Sequence, residues 1–147
     1  MIYTGYFAQM RKFPDNVIPV AICGGLPSWY NGEWYRKPAP KWGFFNEWKQ
    51  NGDNNFYIEH YQKEVLDELN VDRVLMDLQL LVPEEIKATM QEPIWTSPDV
   101  HLVLLCYEKP KDFCHRHLFA QWIMQNETDI KIEEFDKEKA KSEESNN

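Results

Sequence analysis

His101–Trp122 reads HLVLLCYEKPKDFCHRHLFAQW, and three pieces follow one another in it: an apolar run, a polar stretch around Pro110, and a helical pattern opening near Cys114. An apolar run without alternation suits a strand covered on both faces, as in a parallel sheet. The segment therefore predicts a buried strand over His101–Cys106, a loop over Tyr107–Phe113 and a helix from about Cys114 to Gln125. Working outward, Val17–Ile22 (VIPVAI) is a second such run, ended by Cys23-Gly24-Gly25, where glycines permit a sharp turn. Ile2–Phe7 predicts a first strand, and the weak alternation over Thr128–Phe135 a last one at an edge.

Helical signals lie between the strands. Lys41–Lys49 suits a short helix. Asn54 or Asn55 is placed to cap a second, with Ile58, Tyr61, Val65, Leu66 and Leu69 on its inner face. Val71, Val74, Leu75, Leu78, Leu81 and Val82 keep a period of three to four residues and mark a third. Strands interleaved with helices imply an α/β fold: a three-layer, Rossmann-like, mainly parallel sheet in one domain over residues 1–136. Residues 137–147 are polar apart from Ala140 and predict a disordered acidic tail.

Composition excludes several classes of function. A net charge of −8 with no basic stripe argues against a duplex nucleic acid as partner. No apolar run is long enough for a membrane span, and Met1 leads into a strand-like IYTGYF instead of a secretory leader. Three cysteines, an odd number, fit a reduced cytoplasmic protein with free thiols. A homo-oligomer remains open.

Chemistry concentrates in Cys106–His117. A thiol ends the central strand, Glu108 follows, and the helix opens with Cys114-His115-Arg116-His117. A helix start favours anions, Arg116 adds a planar fork for phosphate or carboxylate, and the same field activates Cys114 as a nucleophile. Cys106, Glu108, Cys114 and His115 are thus candidate catalytic groups, with Arg116 and His117 on the ligand. His115 and His117 are two residues apart, so at most one faces a given site. The plainer alternatives are a packing role for Cys106 and a structural clip for Arg116. Zinc sites favour short paired spacings that Cys106, Cys114, His115 and His117 do not reproduce, so no metal and no cofactor is assigned.

Pro27–Pro40 is a long loop rich in proline and aromatics, too broken for a helix. Trp29, Tyr30, Trp34, Tyr35 and Trp42 surround Arg36, Lys37 and Lys41, a mixture that suits a planar anionic molecule or a simple cover over the sheet. Trp29, Tyr30, Tyr35, Lys41, Cys23 and Gly24 complete the candidate ligand-binding set.

The run LLCYEKPKDFCHRHLFAQWI resembles the signature of the bacterial and phage family called domain of unknown function 488, with Cys106, Glu108, Cys114, His115 and Arg116 on motif positions. MIYTGYFAQMRKFP and LPSWYNGEWYRKPAPKWGFFNEWK are similar to its short form. Cys23-Gly24-Gly25 and the length of Pro83–Asp99 depart from it. The resemblance implies a compact α/β fold and the same site location, without a settled reaction. The functional expectation is a site that binds a small nucleotide-like or phosphorylated ligand, with or without processing it. The alternatives are a non-catalytic module that sequesters a signalling nucleotide, as a phage counter-defence protein would, and a protein–protein adaptor.

Overall fold

His101–Cys106 is buried at every position and occupies the middle of a five-stranded sheet. The structure is a computed structural model and describes residues 1–108 and 112–136; the expected disordered tail lies outside these. The strands are β1 (Ile2–Tyr6), β2 (Val17–Ala21), β3 (Glu33–Trp34), β4 (His101–Cys106) and β5 (Glu133–Glu134), in the order β3-β2-β4-β1-β5. Every pairing is parallel, with Val17 opposite His101 and Ile2 opposite Leu102. Parallel strands need both faces covered, hence the unbroken apolar runs in β2 and β4.

The α-helices among the described residues are α1 (Trp42–Asn51), α2 (Asn54–Glu64), α3 (Val71–Leu80), the single turn α4 (Glu84–Lys87) and α5 (His115–Asn126). Two connections run toward β5, from β3 to β4 and from β4 to β5, and carry all the α-helices of the described residues. Right-handed crossovers running the same way must lie on the same face. One core accordingly joins Ile18, Val20, Leu102 and Leu104 to Tyr57, Tyr61, Leu78, Phe119 and Ile123. The two connections that run the other way, from β1 to β2 and from β2 to β3, are a 3-10 turn (Phe7–Lys12) and a loop. They cover the opposite face, where Phe7, Met10, Leu26 and Tyr30 pack on Tyr3, Val103 and Leu105. The outer layers are therefore unequal, one helical and one thin.

Local chemistry sets the helix ends. Gly52 takes a left-handed φ of 66° and closes α1, its N–H donating to the Trp48 carbonyl at 2.7 Å. Asp53 caps α2, accepting from the N–H groups of Asn55 and Phe56 at 3.0 and 3.3 Å, so the cap falls one residue before the expected asparagines. The inner face of α2 keeps the expected Tyr61, with Val65 and Leu66 buried just beyond the helix, but Tyr57 is buried where Ile58 was expected, and Ile58 is 41% exposed. Phe44 and Phe113 supply edge-on ring partners for Tyr57, at centroid distances of 5.3 and 5.0 Å, which an aliphatic face would lack. Asn70 caps α3 through the Arg73 N–H. Among the described residues no helix is long and apolar enough to cross a membrane.

Candidate functional site

The outgoing connections of β2 and β4 leave in opposite directions, and the crevice beyond the carboxyl ends of such neighbours is where open α/β sheets bind ligands. A cavity of about 810 Å³ lies there, within the usual range of about 300–1,000 Å³ for small-molecule pockets. Its floor is Cys23 and Gly24 after β2, Cys106 and Glu108 after β4, and Cys114 and His115 at the start of α5. Trp42, Phe45 and Trp48 of α1, with Tyr57 and Phe113, make an aromatic wall. Arg36, Lys41 and Lys49 bring positive charge to it.

All four candidate catalytic groups and Cys23, Gly24 and Lys41 thus line one cavity. Cys106 and Cys114 are joined in a disulfide, S–S 2.25 Å, so the expectation of three free thiols is corrected to one free cysteine, Cys23. Sequence spacing hides this contact because it depends on how the loop returns to the helix start. Cys114 caps α5 in an extended conformation, φ −155° and ψ 144°, outside the helical fan of side chains. Its side chain and that of the adjacent His115 can therefore reach the same side.

His115 is buried with Nε2 2.7 Å from the Ile22 carbonyl oxygen and Nδ1 3.8 Å from Cys114 Sγ. A carbonyl only accepts, so Nε2 carries the hydrogen and Nδ1 presents a lone pair to the sulfurs. Burial drives the imidazole pKa down to about 4, against the opposing pull of the Ile22 carbonyl, and the nearby Arg116 charge adds to the drop. At neutral pH the ring is therefore uncharged. The Cys23 thiol, also buried and hydrogen-bonded to the Gly25 carbonyl at 2.9 Å, is pushed up to about 11 by desolvation. It is protonated and a poor nucleophile near neutrality.

Arg116 and His117 turn the other way. Arg116 is wholly buried behind the floor. Its Nε donates to Glu134 Oε1 at 2.9 Å, and its Nη1 lies 3.2 Å from Cys106 Sγ and donates to the Glu108 carbonyl. His117 faces the same Glu134 at 3.5 Å. Neither lines the cavity, so a direct contact between the Arg116 fork and a ligand there is replaced by a clip joining β4, α5 and β5. Of the two histidines only His115 reaches the site, as their spacing required.

The proline-rich loop also divides. Tyr30 replaces missing sheet partners: its hydroxyl accepts the Ala21 N–H at 3.0 Å and lies against the carbonyls of Pro19 and Glu33. Trp29 packs edge-on against Phe7, and the residue is 58% exposed. Tyr35 is buried with its hydroxyl on Asp77 at 2.7 Å. None of the three lines the cavity. The aromatic wall comes instead mainly from α1, whose Trp42, Phe45 and Trp48 recur at three-residue steps on one face. That spacing was visible in the sequence, but reads equally well as core.

Comparison with protein-family models, curated proteins and solved structures finds no match for this chain.

Proposed function

We propose that this cavity binds a small anionic ligand bearing a planar ring, of the nucleotide-like or phosphorylated class. One observation carries the reading. In a chain of net charge −8, the described cavity wall holds three cations, Arg36, Lys41 and Lys49, against one carboxylate, Glu108. Positive charge concentrated at a concave site in an otherwise acidic protein raises the local concentration of anions. The same wall offers Trp42, with 71% of its surface exposed and, among the described residues, its ring contact with Phe45 as far as 6.4 Å. A ring stacked on it would gain roughly 1–3 kcal/mol.

A second form of the reading is favoured by the disulfide. With Cys106 bonded to Cys114 neither sulfur is a nucleophile, so the oxidised protein would capture its ligand without turnover. The third possibility, an adaptor using its aromatics as a contact patch, does not account for the cations or for the buried Cys-Cys-His floor.

The test is a tryptophan-fluorescence titration with nucleoside monophosphates and diphosphates. Saturable quenching is expected in the parent and should weaken in a Lys41→Gln/Lys49→Gln double variant. Equal quenching by the uncharged nucleoside would remove the anion from the proposal.

A further inference from the structure

Three metal-ligating atoms meet on the cavity floor. Cys106 Sγ, Cys114 Sγ and a ring nitrogen of His115 all lie within 4.8 Å of one another, and all three residues are buried. The histidine is already held as a metal-bound imidazole is held. Its outer nitrogen donates to a main-chain carbonyl, Ile22 at 2.7 Å, which fixes the tautomer and aims the bare Nδ1 inward. Arg116 closes the cluster from behind: its Nη1 donates to Cys106 Sγ at 3.2 Å.

Backbone spacing adds an independent argument. The Cα atoms of Cys106 and Cys114 are 7.6 Å apart, beyond the usual disulfide span of about 4.4–6.8 Å. A tetrahedral ion with metal–sulfur bonds of about 2.3 Å holds two sulfurs about 3.8 Å apart and suits a wider backbone separation.

We propose that the reduced protein binds a divalent ion of the zinc class through Cys106 Sγ, Cys114 Sγ and His115 Nδ1, with the fourth position open to the cavity. Three protein ligands with one free position is the arrangement of catalytic zinc sites, whereas structural sites are closed by a fourth side chain. The free position can take water or a donor atom of the bound ligand. Two thiolates balance the charge of the ion, so Arg36, Lys41 and Lys49 remain available for an anion. Short paired sequence spacings are absent, but the fold brings Cys106, Cys114 and the adjacent His115 together in space. This site stands whether or not the cavity takes a nucleotide.

The full-length protein, reduced and kept under reductant, is titrated with cobalt(II) as the reporter ion. About one cobalt per chain is expected, with the strong visible bands of tetrahedral cobalt and a near-ultraviolet thiolate-to-cobalt band. Cys106→Ser and Cys114→Ser should each lower the thiolate band by about half, since each removes one of two sulfurs. His115→Gln should weaken affinity by at least about tenfold. Cys23→Ser should change nothing. Circular dichroism checks that each variant folds, and protein oxidised at Cys106–Cys114 serves as a control needing no substitution: it should take up no cobalt. No uptake by the reduced parent, uptake equal to that of the oxidised control, or loss of the band in Cys23→Ser would overturn the site. Trp42→Ala should leave the cobalt spectrum intact, so a failed nucleotide reading would not be confused with a failed metal site.

Discussion

Replacing Arg116 by lysine keeps the charge and removes the fork. Arg116 has no exposed surface, and its guanidinium touches three partners on different elements: Glu134 Oε1, Cys106 Sγ and the Glu108 carbonyl. A lysine ammonium is a point donor and cannot span them, so at least one charge-assisted bond is lost. Such bonds contribute about 1.5–3 kcal/mol each. The Glu134 side chain is 28% exposed, so water recovers part of its share. A net destabilisation of about 2–4 kcal/mol follows, which for a chain of this size lowers the melting temperature by roughly 6–13 °C. Thermal denaturation followed by circular dichroism measures it. Ligand affinity per folded molecule, measured well below the transition, should be unchanged because the fork does not reach the cavity. A melting temperature within about 2 °C of the parent, together with weakened ligand binding, would refute the reasoning and return Arg116 to the ligand.

Three further outcomes are expected. Gly52→Ala meets no steric obstacle but must hold a left-handed φ of 66°; it should cost about 1–2 kcal/mol in a chemical denaturation curve. Trp42→Ala, at a largely exposed position, should leave stability within about 0.5 kcal/mol while weakening a stacked ligand by about 1–3 kcal/mol in the fluorescence titration. Cys23, with its thiol pKa raised from 9.0 to about 11, should hold about a hundredfold less thiolate at pH 8 than an unperturbed thiol. Mass spectrometry of iodoacetamide-treated native protein should therefore show slow alkylation there, accelerating as pH rises toward 11 or on unfolding.

The sheet was legible because its strands need continuous apolarity, and VIPVAI and HLVLLC have few other readings. Double coverage puts both strands inside the sheet, adjacent or nearly so, and β2 pairs directly with β4. The last strand was legible only as an edge, and it shrinks to Glu133–Glu134. The cavity floor was visible because a strand end and the next helix start are brought together by chain connectivity alone. Side-chain direction was not. Arg116 turns to Glu134, a partner 18 residues along the chain whose position depends on the crossover that carries α5 to β5. The aromatics were misplaced for a similar reason: Tyr30 and Tyr35 have hydroxyls that satisfy buried main-chain groups and Asp77, needs that exist only once β3 and α3 are packed. The Cys106–Cys114–His115 contact also depends on the extended conformation of one cap residue, which spacing rules do not contain.

The claim that the cavity is an anion-and-ring site is tested most directly by the assigned indole N–H signals of the six tryptophans in a nitrogen-15 correlation spectrum, recorded as a nucleoside diphosphate is added. Saturable shifts are expected at Trp42 and Trp48, which line the cavity, while Trp29, Trp95 and Trp122, which do not, stay in place. Unmoved Trp42 and Trp48 signals, or shifts confined to Trp29, Trp95 or Trp122, would contradict it.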